Sequence, residues 1–173
     1  MIVKNEEHFL PSCLASVRGV VDEIVVLDTG STDRTCEIAL AAGATLAHFD
    51  WCDDFSAARN AALQHVTSDW VLVLDADEVL ANGAGAAIRA ALKHPGMYCG
   101  MLPMHHASRV NATQSEVLSG EHRLGGATWL PRLFLRTDDL KWEGIVHESP
   151  SSWLEAQGGV GTCIQAPIIH FGS

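Results

Sequence analysis

The sequence predicts an α/β fold built on a mostly parallel central sheet with helices on both faces. Strand-like and helix-like segments alternate over residues 1–96, the pattern of parallel strands joined by helical crossovers. The strands are continuous Val/Ile/Leu runs rather than alternating ones, as expected when both faces of a sheet are covered. Carboxylates follow three of these runs, at Asp28, Asp53/Asp54 and Asp75/Asp77. That is the edge of an open α/β sheet where ligands bind.

Met1-Ile2-Val3 reads as a short first strand, and its start in mid-strand suggests a piece of a longer protein. Asn5 is a suitable N-cap for a helix with Glu6 and Glu7 in its first turn, Pro11 near its start and Leu10, Leu14 and Val17 at helical spacing. Residues 23–28 form a second strand. The turn TGSTDRT leads to a helix with Ile38 on its apolar side and Gly43 as its stop. Residues 44–49 are a third strand, and Asp53 or Asp54 caps an Ala-rich helix after it. WVLVLD, residues 70–75, is the fourth strand, followed by a helix halted at Pro95-Gly96.

The second half is less regular. MYCGMLPM, TWLPRLFLR and APIIHF read as strands, while the polar, Gly-rich residues 105–126 read as loops and edge strands rather than helix. No linker divides the chain, so one domain over residues 1–173 is expected, the second half elaborating the sheet with loops over a site.

Composition narrows the partners. Eleven Lys and Arg against 21 Asp and Glu give a formal charge of −10, which repels nucleic acid and anionic membranes. An anionic ligand then needs a cation between it and the protein. Five cysteines without pairing or metal-ligand spacing suit a reducing cytoplasm. No apolar run approaches a membrane span, so any membrane contact is peripheral.

A lone Asp after a strand is usually a cap or turn former, which accounts for Asp28 and Asp53. It does not account for Asp75-Ala76-Asp77, two carboxylates one residue apart directly after a buried run. A bound cation removes their repulsion, and oxygen ligands suit Mg²⁺ or Mn²⁺. Glu78 reads only as a first-turn acid of the segment that follows.

MIVKNEE, VVLDTGSTDRT, DDFSAARNAAL and DWVLVLDADE, in that order and spacing, resemble the GT-A-fold glycosyltransferases of family 2. The resemblance is dense over residues 1–80. It continues more thinly through PRLFLR, WEGIVHE and IIHFG, which look like the bacterial branch with lipopolysaccharide-core glucosyltransferase-like proteins. It implies a nucleotide-sugar-binding half at 1–96 and an acceptor-side half at 97–173, the chain being truncated at both ends.

Carried onto this sequence, the resemblance implies a nucleotide pocket lined by Val3, Asn5 and Glu6, with Glu6 or Glu7 near the base or ribose. Asp28 sits under the nucleobase, followed here by Thr29 where many relatives have a second acid. Arg59 reaches the nucleotide, Asp75 contacts ribose or a metal-bound water, and Asp77 ligates the metal that bridges to the diphosphate. His147 and His170 are further metal ligands by motif context, while the other seven histidines, His106 among them, read as surface or satisfied core residues. Family members generally invert, so a carboxylate must take the acceptor's proton. Glu148 is the first candidate and Glu143 the second, with Trp129, Trp142 and Arg132 shaping the acceptor side.

The implied reaction transfers a hexose from a nucleotide-diphospho-sugar such as UDP-glucose to a saccharide, a lipid-linked sugar or a peptide. Two alternatives stand beside it. An incomplete domain of a larger protein would bind donor without turnover. A nucleotidyltransferase would bring a Gly-rich phosphate loop, and MIVKNEE has no glycine.

Overall fold

The computed structural model of the chain describes residues 1–172. Its first three strands, β1 (Ile2–Val3), β2 (Val25–Asp28) and β3 (Thr45–His48), form a parallel sheet in the order β1-β2-β3. The connecting helices are α1 (Leu10–Val17) and α2 (Thr35–Ala41). Leu10, Leu14 and Val17 are buried, as the helical spacing predicts. Gly43, at φ +81°, ends the α2 segment in a conformation that costs glycine little.

The start of α1 differs from expectation. Phe9 stands at the N-cap and Pro11 in the first turn, while Asn5 lies outside the helix at φ +56°. Asn5 is diverted because its side chain has another partner, the Thr32 N–H, which it accepts at 2.8 Å. For α3 (Phe55–Leu63) the cap is Asp54, which accepts the Ala57 N–H at 3.0 Å, whereas Asp53 takes the Trp51 indole N–H.

The fourth strand is a second correction. β4 covers only Trp70–Leu72 and pairs antiparallel with β7 (Arg123–Leu135). It belongs to a six-stranded sheet that also contains β5 (Glu78–Leu80), β6 (Cys99–Ala107), β8 (Thr162–Cys163) and β9 (Ile168–His170). Its main path runs β4-β7-β6-β9-β5, with β8 on β6. The backbone donors of residues 70–73 go to the long β7 rather than to β1, as the Val73 N–H to Arg132 carbonyl bond of 2.8 Å shows. The architecture is therefore α/β with a more evenly mixed sheet than the Val/Ile/Leu runs implied. Those runs report burial and carry no information about strand direction.

Two helices complete the described chain beside α4 (Ala84–Ala91): α5 (Gln114–Ser119) and α6 (Ser151–Ala156). α5 overturns the reading of residues 105–126 as loops and edge strands. Thr113 and Glu116 form a reciprocal capping box that offsets the weak apolar periodicity around it. The main core, including Leu80, Ile88, Leu102, Leu133, Ile168 and Ile169, lies between α1, α4 and the larger sheet.

Candidate functional site

The segment after β1 is clamped to the turn after β2. The Asn5 N–H donates to Ser31 Oγ at 2.9 Å, the Glu6 N–H to Thr35 Oγ1 at 2.7 Å and the Glu7 N–H to Asp33 Oδ2 at 3.1 Å. Thr29 is buried and donates through both its N–H and its hydroxyl to the Val3 carbonyl. Asp28 is 3% exposed and accepts the Gly30 and Ser31 N–H groups, with His48 Nδ1 3.5 Å away. Burial alone raises the Asp28 pKa, but the hydrogen bonds from Ser31 and Gly30 outweigh it and hold the carboxyl below its ordinary value. Val3, Lys4, Glu6, Thr29, Trp51 and Phe55 line a cleft beside this turn. Burial, then the charges of Asp77 and Asp33, raise the pKa of Glu6, which places Glu6 within the field of the acid cluster.

Arg59 and Arg132 organise that cluster. From α3, Arg59 Nη2 reaches Asp75 at 3.2 Å and its Nε reaches Glu148 at 2.6 Å, with the guanidinium largely buried. Arg132, on β7, hydrogen bonds Glu78 and lies 3.7 Å from Asp75. Burial opposes ionisation of Asp75, but Arg59 and then Arg132 prevail and lower its pKa. Glu78 is 1% exposed on β5 rather than in a helical first turn, and it accepts the Asp75 N–H at 2.9 Å. Burial dominates there and pushes its pKa up to about 7 against the pull of Arg132. Glu78 ties the Asp75-Ala76-Asp77 turn to the sheet.

Asp77 faces the end of β9. The β5·β9 register sets Glu78 opposite His170, and the Phe171 N–H donates to the Asp77 carbonyl at 2.9 Å. The Asp77 carboxylate thereby meets His170 Nε2 at 3.2 Å, and that hydrogen bond raises the imidazole pKa against its burial. Gly172 faces the same pair. A Cβ there would overlap Asp77 Oδ2 and lie 2.9 Å from His170 Nε2, so the glycine lets the Asp77 carboxylate lie against the backbone at this point. One carboxylate oxygen and one imidazole nitrogen form a donor set suited to Mn²⁺ or Mg²⁺. Ligands about 2.1 Å from an octahedral ion stand about 3 Å apart when adjacent, so an ion replacing the proton between these two atoms would need little movement of either. The residues present fit such an ion.

The remaining expected residues lie elsewhere. His147 is exposed at φ +59° in the WEGIVHE loop. Among the described residues, sets of three or more ligand atoms within 4.8 Å of one another are Asp28/Cys36/His48 and Glu116/Glu121/His122. His147 is thus not brought together with Asp77 and His170. Glu143 is held at the surface by Lys141 at 3.0 Å and Ser152 at 2.6 Å. Glu148 joins Asp75 through Arg59. Its loop is fixed by Asn60, whose side chain makes two 2.8 Å hydrogen bonds to the backbone of Trp142.

Sequence reasoning passed over Glu78, Asn60 and Gly172, and placed Arg132 on the acceptor side. The one available signal was an Arg inside an otherwise apolar strand, PRLFL, which demands a buried acid somewhere in the chain.

Comparison with known proteins identifies the family and the fold. A TPR repeat-containing protein of Synechococcus elongatus is 45% identical over 150 residues, covering 86% of this chain and 34% of that protein. The SPbeta prophage-derived glycosyltransferase SunS of Bacillus subtilis is 28% identical over 158 residues, covering 88% and 34%. The chain thus spans about a third of the length of these relatives. Two solved structures share its fold across 99% of the chain. S. aureus TarS matches with TM-score 0.67 and 16% identity over 36% of its own chain. Glucosyl-3-phosphoglycerate synthase from Mycobacterium tuberculosis, crystallised with Mn²⁺ and UDP-glucose, matches with TM-score 0.61 and 20% identity over 68% of its own. These matches do not single out the lipopolysaccharide-core branch. A model of the family described as "Glycosyl transferase family 2" matches residues 1–156, and the chain, GT-A in fold, belongs to that family.

Proposed function

We propose that this chain is the metal-dependent catalytic domain of an inverting glycosyltransferase that uses a UDP-hexose such as UDP-glucose. The observation that carries the reading is the Asp77–His170 pair, 3.2 Å apart and packed against Gly172. Asp77 is near enough to Glu6, which lines a cleft with Val3 and Thr29, for its charge to raise the Glu6 pKa. Asp77 and His170 hold the ion, His147 serving as a further ligand only if its loop closes. A bound divalent ion supplies charge neutralisation to the leaving diphosphate.

This chain's own residues do the rest. Val3, Asn5 and Glu6 border the nucleoside, with Asp28 and Thr29 below the base. Arg59 holds Asp75 toward the ribose and places a cation beside the acids. Glu148, anchored on the same guanidinium, is oriented to accept the acceptor's proton. Glu143 ranks behind it, because Lys141 and Ser152 turn it to the surface. The acceptor is a saccharide, a lipid-linked sugar or a peptide. Among the described residues no helix is long and apolar enough to cross a membrane, and all five cysteines are unpaired, which suits a reducing cytoplasm.

A crystal soaked with UDP-glucose and Mn²⁺ tests the reading through anomalous scattering. A manganese peak between Asp77, His170 and the diphosphate is expected. A peak only at Asp28/Cys36/His48, or nucleotide bound away from Asp28 and Glu6, would refute it.

A further inference from the structure

His106 lies behind His170. The β6·β9 pairing is parallel and sets His106 opposite His170, so both side chains leave the same face of the sheet. Their Nδ1 atoms are 3.1 Å apart, and the rings cross edge-on at 76°. The neighbouring His105 faces the other way, with its Nδ1 3.4 Å from Arg123. His170 therefore uses both ring nitrogens in fixed directions, Nε2 toward Asp77 and Nδ1 toward His106. Nothing in the motif IIHFG or in MLPMHHA indicates this pairing, which joins residues 64 apart.

Resting on the reading of Asp77 and His170 as metal ligands, we infer that His106 is a positioning residue that fixes the tautomer and orientation of His170. Only one proton fits between two Nδ1 atoms. A His170 that offers the Nε2 lone pair to an ion must carry its proton on Nδ1. His106 accepts that proton's hydrogen bond through its own Nδ1 and carries its proton on Nε2. Metal-binding histidines are commonly held in this way through their second nitrogen, and loss of the partner typically weakens metal affinity about 10- to 100-fold. His106 does not touch the metal. Its Nδ1 contacts the ring edge of His170 turned away from Asp77.

The test is Mn²⁺ affinity in the presence of UDP, measured by electron paramagnetic resonance, together with ¹⁵N NMR of the His170 ring with diamagnetic Mg²⁺ in place of Mn²⁺. His106→Ala should weaken Mn²⁺ binding about 10-fold or more. It should also shift His170 from the Nδ1–H form to a mixture of tautomers. His106→Gln, whose amide oxygen can accept the same hydrogen bond, should recover most of both. Asp77→Ala and His170→Ala serve as controls for the underlying reading. If neither weakens Mn²⁺ binding, the metal site itself is misplaced. If both weaken it while His106→Ala stays within about twofold of the unaltered protein and the His170 tautomer is unchanged, the role given to His106 is wrong. Should His106→Ala misfold, His106→Gln and the unaltered protein's tautomer decide: an Nε2–H form of His170 in the unaltered protein with UDP and saturating Mg²⁺ contradicts the inference.

Discussion

Arg59 joins Asp75 and Glu148, two carboxylates 73 residues apart in sequence, its Nη2 3.2 Å from the first and its Nε 2.6 Å from the second. One guanidinium thus links the turn after β4 to the WEGIVHE loop. Its fork geometry allows this, whereas the single ammonium of lysine has no equivalent pair of fixed donors. Arg59→Ala leaves two partly buried carboxylates without their shared cation. It should cost about 2 kcal/mol, below the loss for a fully buried pair because Asp75 is 39% exposed. Urea unfolding of Arg59→Ala and Arg59→Lys checks this, with the lysine variant falling between the two.

Gly172 makes a separable prediction. Its backbone is not in the left-handed region, so alanine introduces no strain of that kind, yet the new methyl group takes the place of Asp77 Oδ2 and forces that carboxylate to shift. Gly172→Ala should lower Mn²⁺ affinity at least about 10-fold, as loss of a supporting group does. Its circular dichroism and melting should stay near those of the unaltered protein. Metal titration and thermal melting on one sample distinguish the two effects.

The Asp28 turn predicts an acid dependence of stability. The folded-state pKa of Asp28 is depressed, so its contribution is present above the unfolded value near 3.8 and is lost as pH falls through the lower folded value. Hydrogen bonds to a buried carboxylate contribute about 2 kcal/mol in total. Asp28→Asn should therefore be less stable by about that amount at pH 6, and the gap should narrow toward pH 3. Chemical denaturation at the two pH values measures it.

The helix missed in the second half offers a local test. Thr113 accepts the Glu116 N–H at 3.3 Å, and Glu116 accepts the Thr113 N–H at 2.7 Å. Thr113→Ala should cost about 1 kcal/mol, with faster amide exchange confined to Gln114–Ser119.

These residues also show what the sequence made legible. Asp75, Asp77 and Arg59 stood out because short motifs and a run-ending acid pair mark them within a few residues, whereas the bridge from Asp75 through Arg59 to Glu148 left no local mark. The cap at Asp54 followed from local rules too, although choosing it over Asp53 needed the backbone. Glu78 was not readable: DADE looks like a solvated turn, and its burial depends on Arg132, 54 residues further on. The direction of β4 was hidden for the same reason, since apolar content reports burial and its partner β7 begins 53 positions later. Asn5 illustrates a good local cap signal overridden by a longer-range partner, Thr32.

Calorimetric titration of UDP in the presence of Mn²⁺ measures directly whether Asp77 holds an ion that binds the nucleotide. Saturable binding that requires the metal is expected, weakened at least about 10-fold by Asp77→Ala, a difference of about 1.4 kcal/mol. Absence of UDP binding, or binding that Asp77→Ala leaves unchanged, would contradict it.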